Sequence, residues 1–237
     1  MKLTQADRNE APAVTQPFVF VTSTCSTSRR QAMVAMLMAP VALQMGTVRA
    51  ADTEAEQQLR RFLADTRSAR GEFTQTLVRP GGRVLETLKG RFAFIRPGRF
   101  RWEVLEPYRQ LLLADGETLY FFDEDLNQVT ERKLDQALSA TPAAILFGAE
   151  SIDRDFTIKP LGSRDGQQWL EAVPRVREAG VERIAMGFAG GLPQAMEVVD
   201  AFERLSRFSL RGIERNPPLN DALFRFTAPA GADIVRQ

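Results

Sequence analysis

Two alternating apolar runs meet at Arg96-Pro97-Gly98-Arg99-Phe100-Arg101-Trp102, and this junction constrains the fold more than any other stretch. Phe92-Ala93-Phe94-Ile95 precedes it, and Val104 follows before Glu106-Pro107 closes the run. Apolar residues two apart on both sides of a Pro-Gly pair predict a β-hairpin with Pro97 and Gly98 as its central turn residues. Phe92, Phe94, Phe100 and Trp102 then share one apolar sheet face. Arg96 has the parity of Phe92 and Phe94, which points it inward, where a guanidinium needs a specific partner. A solvated arginine beside a turn is the competing reading, and spacing alone leaves both open.

The first fifty residues are read apart from the fold. Arg29-Arg30 precede an apolar run from Ala32 to Leu43, and Val48-Arg49-Ala50 offers a small-residue cleavage site before Ala51. A basic segment, an apolar core too short to span a bilayer and a cut site make a secretory signal. Ala32 and Met33 follow Arg29-Arg30 weakly, so general export is expected over the twin-arginine route. The polar 28 residues upstream are read as preceding the true translation start. Val21-Thr22-Ser23-Thr24 is too polar to make Cys25 a lipidation site, so a soluble periplasmic protein is expected.

Beyond the cut, residues 51–237 are expected to form one domain with 26 basic and 28 acidic side chains. That balance asks for neither nucleic acid nor an anionic membrane. The chain has no His and its one Cys lies upstream of the cut. A Ser-His-Asp triad, a thiol nucleophile and a His/Cys metal site are therefore ruled out for the exported part. No enzyme, metal or cofactor is expected.

Thr53-Glu54-Ala55-Glu56 is a capping box, and Leu59, Phe62, Leu63 and Thr66 follow at helical spacing. This predicts an amphipathic helix from Thr53 to about Ala69, ended by Gly71. Strands are predicted over 73–77, 84–96, 99–104, 111–113 and 118–122. The segment 123–130 reads as a polar turn. A second helical stretch carries Leu134 and Leu138, and Pro142 starts a short helix to Phe147. Further strands are predicted over 156–160, 169–174, 183–188, 196–201, 205–212 and 223–227. Short strands with helices in two places predict a mainly β fold, a strongly curved antiparallel sheet or open barrel plus helices.

Asp123-Glu124-Asp125-Leu126-Asn127 echoes the start of a calcium loop. Gln128 stands where that loop needs Gly and Leu134 where it needs Glu, so a solvated turn is preferred. No second carboxylate marks these residues as a glycoside-cleaving pair. The aromatic set Phe73, Phe92, Phe94, Phe100, Trp102, Tyr120, Phe121 and Phe122 reads either as plain core or as a cavity wall. Interleaving with Arg99 and Arg101 could suit a single-stranded nucleic acid, but export and near-neutral charge oppose that.

The chain resembles the periplasmic outer-membrane lipoprotein carriers of the LolA type. The resemblance runs from about Leu59 to Val235. It is carried by Phe73-Thr74-Gln75, the hairpin above, Asp115-Gly116 with Leu119-Tyr120-Phe121, Gln128-Val129-Thr130, Thr141-Pro142 and Phe224-Arg225-Phe226-Thr227-Ala228-Pro229. It implies an unclosed antiparallel barrel with a helical lid over a hydrophobic cavity. It further implies a monomeric chaperone that accepts acylated lipoproteins from an inner-membrane ABC-type releasing complex and passes them to an outer-membrane receptor lipoprotein. By the same resemblance Arg96 latches the lid and Phe100 takes part in transfer. Phe73, Phe92, Phe94, Trp102, Leu111, Leu113, Phe121, Leu134, Leu138, Ile145 and Leu146 are expected with it around the acyl-chain cavity. Tyr120 stands where the family often has Trp. A carrier or sensor of the same fold for another amphiphile is the alternative.

Overall fold

A computed structural model of the chain describes residues 53–134, 146, 152–176 and 180–237. The described part opens with helix α1 (Glu54–Asp65), whose Thr53 N–H donates to the Glu56 carboxylate at 3.0 Å. The helix ends four residues before the predicted stop. Thr66 is extended and strand β1 (Ser68–Val78) has already begun before Gly71. Gly71 serves packing instead of capping, because a Cβ there would lie 2.8 Å from the Phe92 ring.

β2 (Val84–Ile95), β3 (Arg99–Glu106), β4 (Gln110–Asp115), β5 (Thr118–Asp123) and β6 (Gln128–Lys133) continue as a meander. After the short helix α2 (Ile152–Asp155) come β7 (Phe156–Arg164), β8 (Gln167–Pro174), β9 (Val181–Ala189), β10 (Leu192–Asp200) and β11 (Leu205–Arg215). A 3₁₀ turn (Asp221–Phe224) and β12 (Asp233–Arg236) close the chain. Two strands were not anticipated, β6 in the predicted turn and β12. The predicted strand over 223–227 is instead the end of the 3₁₀ turn and an irregular segment, since its residues cover the sheet and do not pair with it. The predicted second helical stretch lies almost wholly outside the described residues.

All twelve strands form one sheet in the order β12-β6-β5-β4-β3-β2-β1-β11-β10-β9-β8-β7. The two meanders join where β1 pairs antiparallel with β11, and only β12 runs parallel to its neighbour. β12 and β7 do not pair, so the sheet is unclosed. A flat sheet would set β2 and β7, six positions apart, about 29 Å from each other. Helix α1, about 18 Å long, packs on β7 and also reaches the end of β2 through Phe62 and Arg96. The sheet therefore curves around the helix.

The core lies between them. Ala55, Leu59 and Phe62 of α1, spaced at helical intervals, are buried against inward residues of most strands, among them Phe73, Phe94, Phe100, Leu170, Met186, Phe188, Met196 and Leu210. The outer face is covered differently. Phe224 is buried there against β3 and β4, and Tyr120 stacks on Phe226 at 4.9 Å. Elsewhere the outer face carries cross-strand ion pairs such as Arg70–Glu214 and Arg91–Glu103.

Candidate functional site

The strand register assembles the aromatic face. Phe92 opposes Trp102 and Phe94 opposes Phe100 across β2 and β3. Phe73 of β1 reaches over β2 to stack on Trp102 with centroids 3.9 Å apart and planes 20° from parallel. Gly90 makes this reach possible, because a Cβ there would sit 2.6 Å from the Phe73 ring and 2.0 Å from the Glu103 carbonyl oxygen. Phe92 stacks on the indole at 5.9 Å, and Phe208 of β11 meets it edge-on at 5.8 Å. Trp102 is thus held between three rings from three strands while keeping part of its surface open.

Arg96 stands at the end of this face, two residues beyond Phe94. Its Nη2 donates to the Leu146 carbonyl at 2.6 Å and its Nη1 to the Leu63 carbonyl at 3.4 Å. The guanidinium lies 5.2 Å from the Phe94 ring centre and 5.7 Å from that of Phe62. α1 has no basic residue in its last turn, so Arg96 brings the cation that its terminal carbonyls favour from across the molecule. Burial pushes the guanidinium pKa down to about 10. Its Nε is buried without a hydrogen-bond partner among the described residues. One charged side chain therefore ties the sheet to two separate chain segments through backbone oxygens, which makes the link independent of the side chains there. A second tie secures the same end of α1. The Asn216 side chain donates to the Asp65 carbonyl at 2.8 Å and accepts from the Arg67 and Ser68 N–H groups.

The residues singled out from the sequence fall into three groups. Phe73, Phe92, Phe94, Phe100, Trp102, Leu134 and Leu146 come together in one core cluster under α1. Phe121 has the inward parity of Leu119 but is 39% exposed. Leu111 and Leu113 are misplaced by the sequence reading. They stand on the outer face, Leu113 buried and Leu111 beside a groove with Arg101, Glu103 and Phe122. Their neighbours Leu112 and Ala114 take the inward positions, because Trp102 opposes Leu112 and Phe100 opposes Ala114 in the register. Leu138 and Ile145 lie outside the described residues. Leu59 and Phe62, Phe208, Gly90 and Asn216 were not singled out. The helical spacing of Leu59 and Phe62 was the available signal for the first pair.

The family model described as "Outer membrane lipoprotein carrier protein LolA" matches residues 64–227. A protein of Cupriavidus necator named outer-membrane lipoprotein carrier protein is 47% identical over 206 residues, which cover 85% of this chain and 98% of that one. One of the same name from Bordetella avium is 48% identical over 182 residues, covering 77% and 87%. Among solved structures, an uncharacterized conserved protein from Thermus thermophilus shares the fold with a TM-score of 0.51 at 13% identity, over 78% of this chain and 100% of that chain. The curved open sheet, its aromatic inner face and the match across most of the chain agree, and the chain belongs to the outer membrane lipoprotein carrier protein (LolA) family.

Proposed function

We propose that this chain is a periplasmic carrier that shelters the acyl chains of lipoproteins between α1 and the aromatic face while they cross an aqueous compartment. The observation that carries the reading is the tie of Arg96 to the Leu63 and Leu146 carbonyls above an almost wholly apolar interface. An apolar layer needs no such tie to stay packed. A closure held by a few polar bonds suits a layer that must part. Family membership and the relatives' names support lipoproteins as the cargo.

Each methylene of an acyl chain exposed to water costs about 0.8 kcal/mol, so a chain of roughly fifteen costs on the order of 12 kcal/mol. Free diffusion of a lipoprotein between membranes is therefore negligible. Parting α1 from the sheet would expose Phe73, Phe92, Phe94, Phe100, Trp102 and Leu112 on one side and Leu59 and Phe62 on the other. An acyl chain laid between them re-covers these surfaces. The closure then competes with the cargo and favours its release.

In this reading the exported form begins near Ala51 as one domain, acts as a monomer and uses no catalytic residue. It collects cargo at an inner-membrane ABC-type releasing complex and delivers it to a receptor lipoprotein at the outer membrane. The test is a titration with a fluorescent apolar probe, then displacement by a purified triacylated lipoprotein and by its unacylated form. Displacement by the acylated form alone is expected. Displacement by both forms, or by neither while free glycolipids succeed, overturns the assignment of cargo.

A further inference from the structure

The two ends of the sheet are built differently. At the end opposite Arg96, every hairpin carries an exposed large apolar residue at or beside its turn: Val84 and Leu85 for β1–β2, Leu105 for β3–β4, Leu126 for β5–β6, Val176 for β8–β9 and Phe202 for β10–β11. At the Arg96 end, the turns of β2–β3, β4–β5, β7–β8 and β9–β10 carry none among the described residues. Single exposed apolar side chains need no explanation. Their presence at all five tips of one end does, even though Leu161 on β7 and Leu223 in the 3₁₀ turn are exposed elsewhere.

The β1–β2 and β10–β11 hairpins project beyond β3–β4, and the β8–β9 turn stands level with the second of them, since Val181 opposes Asp200 and the Gly180 carbonyl accepts from the Ala201 N–H. β3 ends where Glu106 opposes Lys89, but β1 and β2 stay paired as far as Val78 and Val84, five residues further along β2. That is about 16 Å of additional strand. β11 follows to the same height, with Leu205 opposite Val78, and pairs with Val199 of β10. The tips of β1–β2 and β10–β11 are therefore neighbours. They present Val84, Leu85 and Phe202, the last 75% exposed. Arg79 and Arg83 flank the first tip and make no side-chain hydrogen bond or ion pair among the described residues. At the second tip Arg204 is paired with Asp200 at 2.6 Å and lies over the Phe202 ring, leaving Glu203 as the unpaired carboxylate there among the described residues.

We propose that these paired tips are a membrane-docking element that places Phe202, Leu85 and Val84 in the interfacial layer of an anionic bilayer while Arg79 and Arg83 meet lipid phosphates. Short apolar tips beside unpaired guanidiniums match the order of that layer, with phosphate outside and acyl chain within. The burial gained is small, so the contact is weak and reversible, and it leaves the Arg96 end facing away from the bilayer. The inference does not depend on the identity of the cargo.

The test is flotation of the protein, recovered from the periplasm of expressing cells, with vesicles of phosphatidylglycerol and phosphatidylcholine or of phosphatidylcholine alone. Binding to the anionic vesicles at low salt is expected, weakening as salt rises. Arg79→Gln with Arg83→Gln lowers it by about twentyfold, and Leu85→Ser with Phe202→Ser by about tenfold. Arg132→Gln, at the far end of the sheet, leaves it unchanged. A Phe202→Trp variant shows a blue-shifted emission that brominated lipids quench. No flotation of the parent, equal flotation of parent and tip variants, or an indole that stays in water overturns the proposal. Acyl-probe binding by the tip variants stays intact, which separates this element from the aromatic face.

Discussion

Replacing Arg96 with leucine removes the tie between the sheet and the two carbonyl-bearing segments and leaves the aromatic face in place. The short bond to the Leu146 carbonyl, 2.6 Å, carries a charge and is worth about 1.5–3 kcal/mol. The 3.4 Å bond to Leu63 is too long to add much. The Phe62 and Phe94 rings contribute about 0.5–1 kcal/mol each. Against these stands an unpaired Nε worth about 1–3 kcal/mol, while the burial that holds the guanidinium pKa down near 10 is already contained in the net value of the charged bond. The net is about 1–3 kcal/mol in favour of the closed arrangement. An acyl chain that needs the open arrangement works against this amount, so Arg96→Leu tightens apparent acyl binding by about 5- to 150-fold and slows unloading to match. Arg96→Lys, a point charge without the planar fork, falls between the two. Titration with an apolar fluorophore gives the affinity, and stopped-flow transfer to acceptor vesicles gives the release rate. Affinity and release within about twofold of the parent would show that the tie is not coupled to opening.

Further tests follow from the geometry. Gly90→Ala drives a methyl into the Glu103 carbonyl and the Phe73 ring, so a loss of about 3 kcal/mol is expected in urea unfolding, with the Trp102 environment visibly changed. Asn216→Ala loses three hydrogen bonds that hold α1 to the start of β1 and costs about 2–3 kcal/mol. Asn216→Gly costs nearly as much even though it suits the left-handed backbone (φ 54°) at that position, which calorimetry can check. Burial alone would raise the Glu103 carboxyl, but the Arg91 and Arg101 guanidiniums outweigh it and hold the group below its ordinary 4.5. A depressed carboxyl stabilises the fold above 4.5 and loses that contribution as pH falls through its folded value. The melting-temperature gap between the parent and Glu103→Gln is therefore expected to be full well above 4.5 and to shrink as the pH falls below it.

Much of the fold was legible in the chain because it rests on local rules. Period-two alternation around Pro97-Gly98 defines β2 and β3, the Thr53–Glu56 capping box starts α1, and the absence of histidine sets aside imidazole chemistry. Where local pattern is weak the reading failed. β6 is polar apart from Val129, the one fully buried residue of its strand, so nothing in Gln128–Lys133 separates a strand from a turn. The run Leu111-Leu112-Leu113 has no alternation to reveal which side chains face inward. Only the pairing of Leu112 with Trp102 decides it. The roles of Gly71 and Gly90 depend on rings from neighbouring strands, and Asn216 acts on groups some 150 positions away. Arg96 is the clearest case. Parity could turn it inward, but its partners lie 33 and 50 residues away, and only the packing of the tertiary structure brings their carbonyl oxygens within reach of its guanidinium.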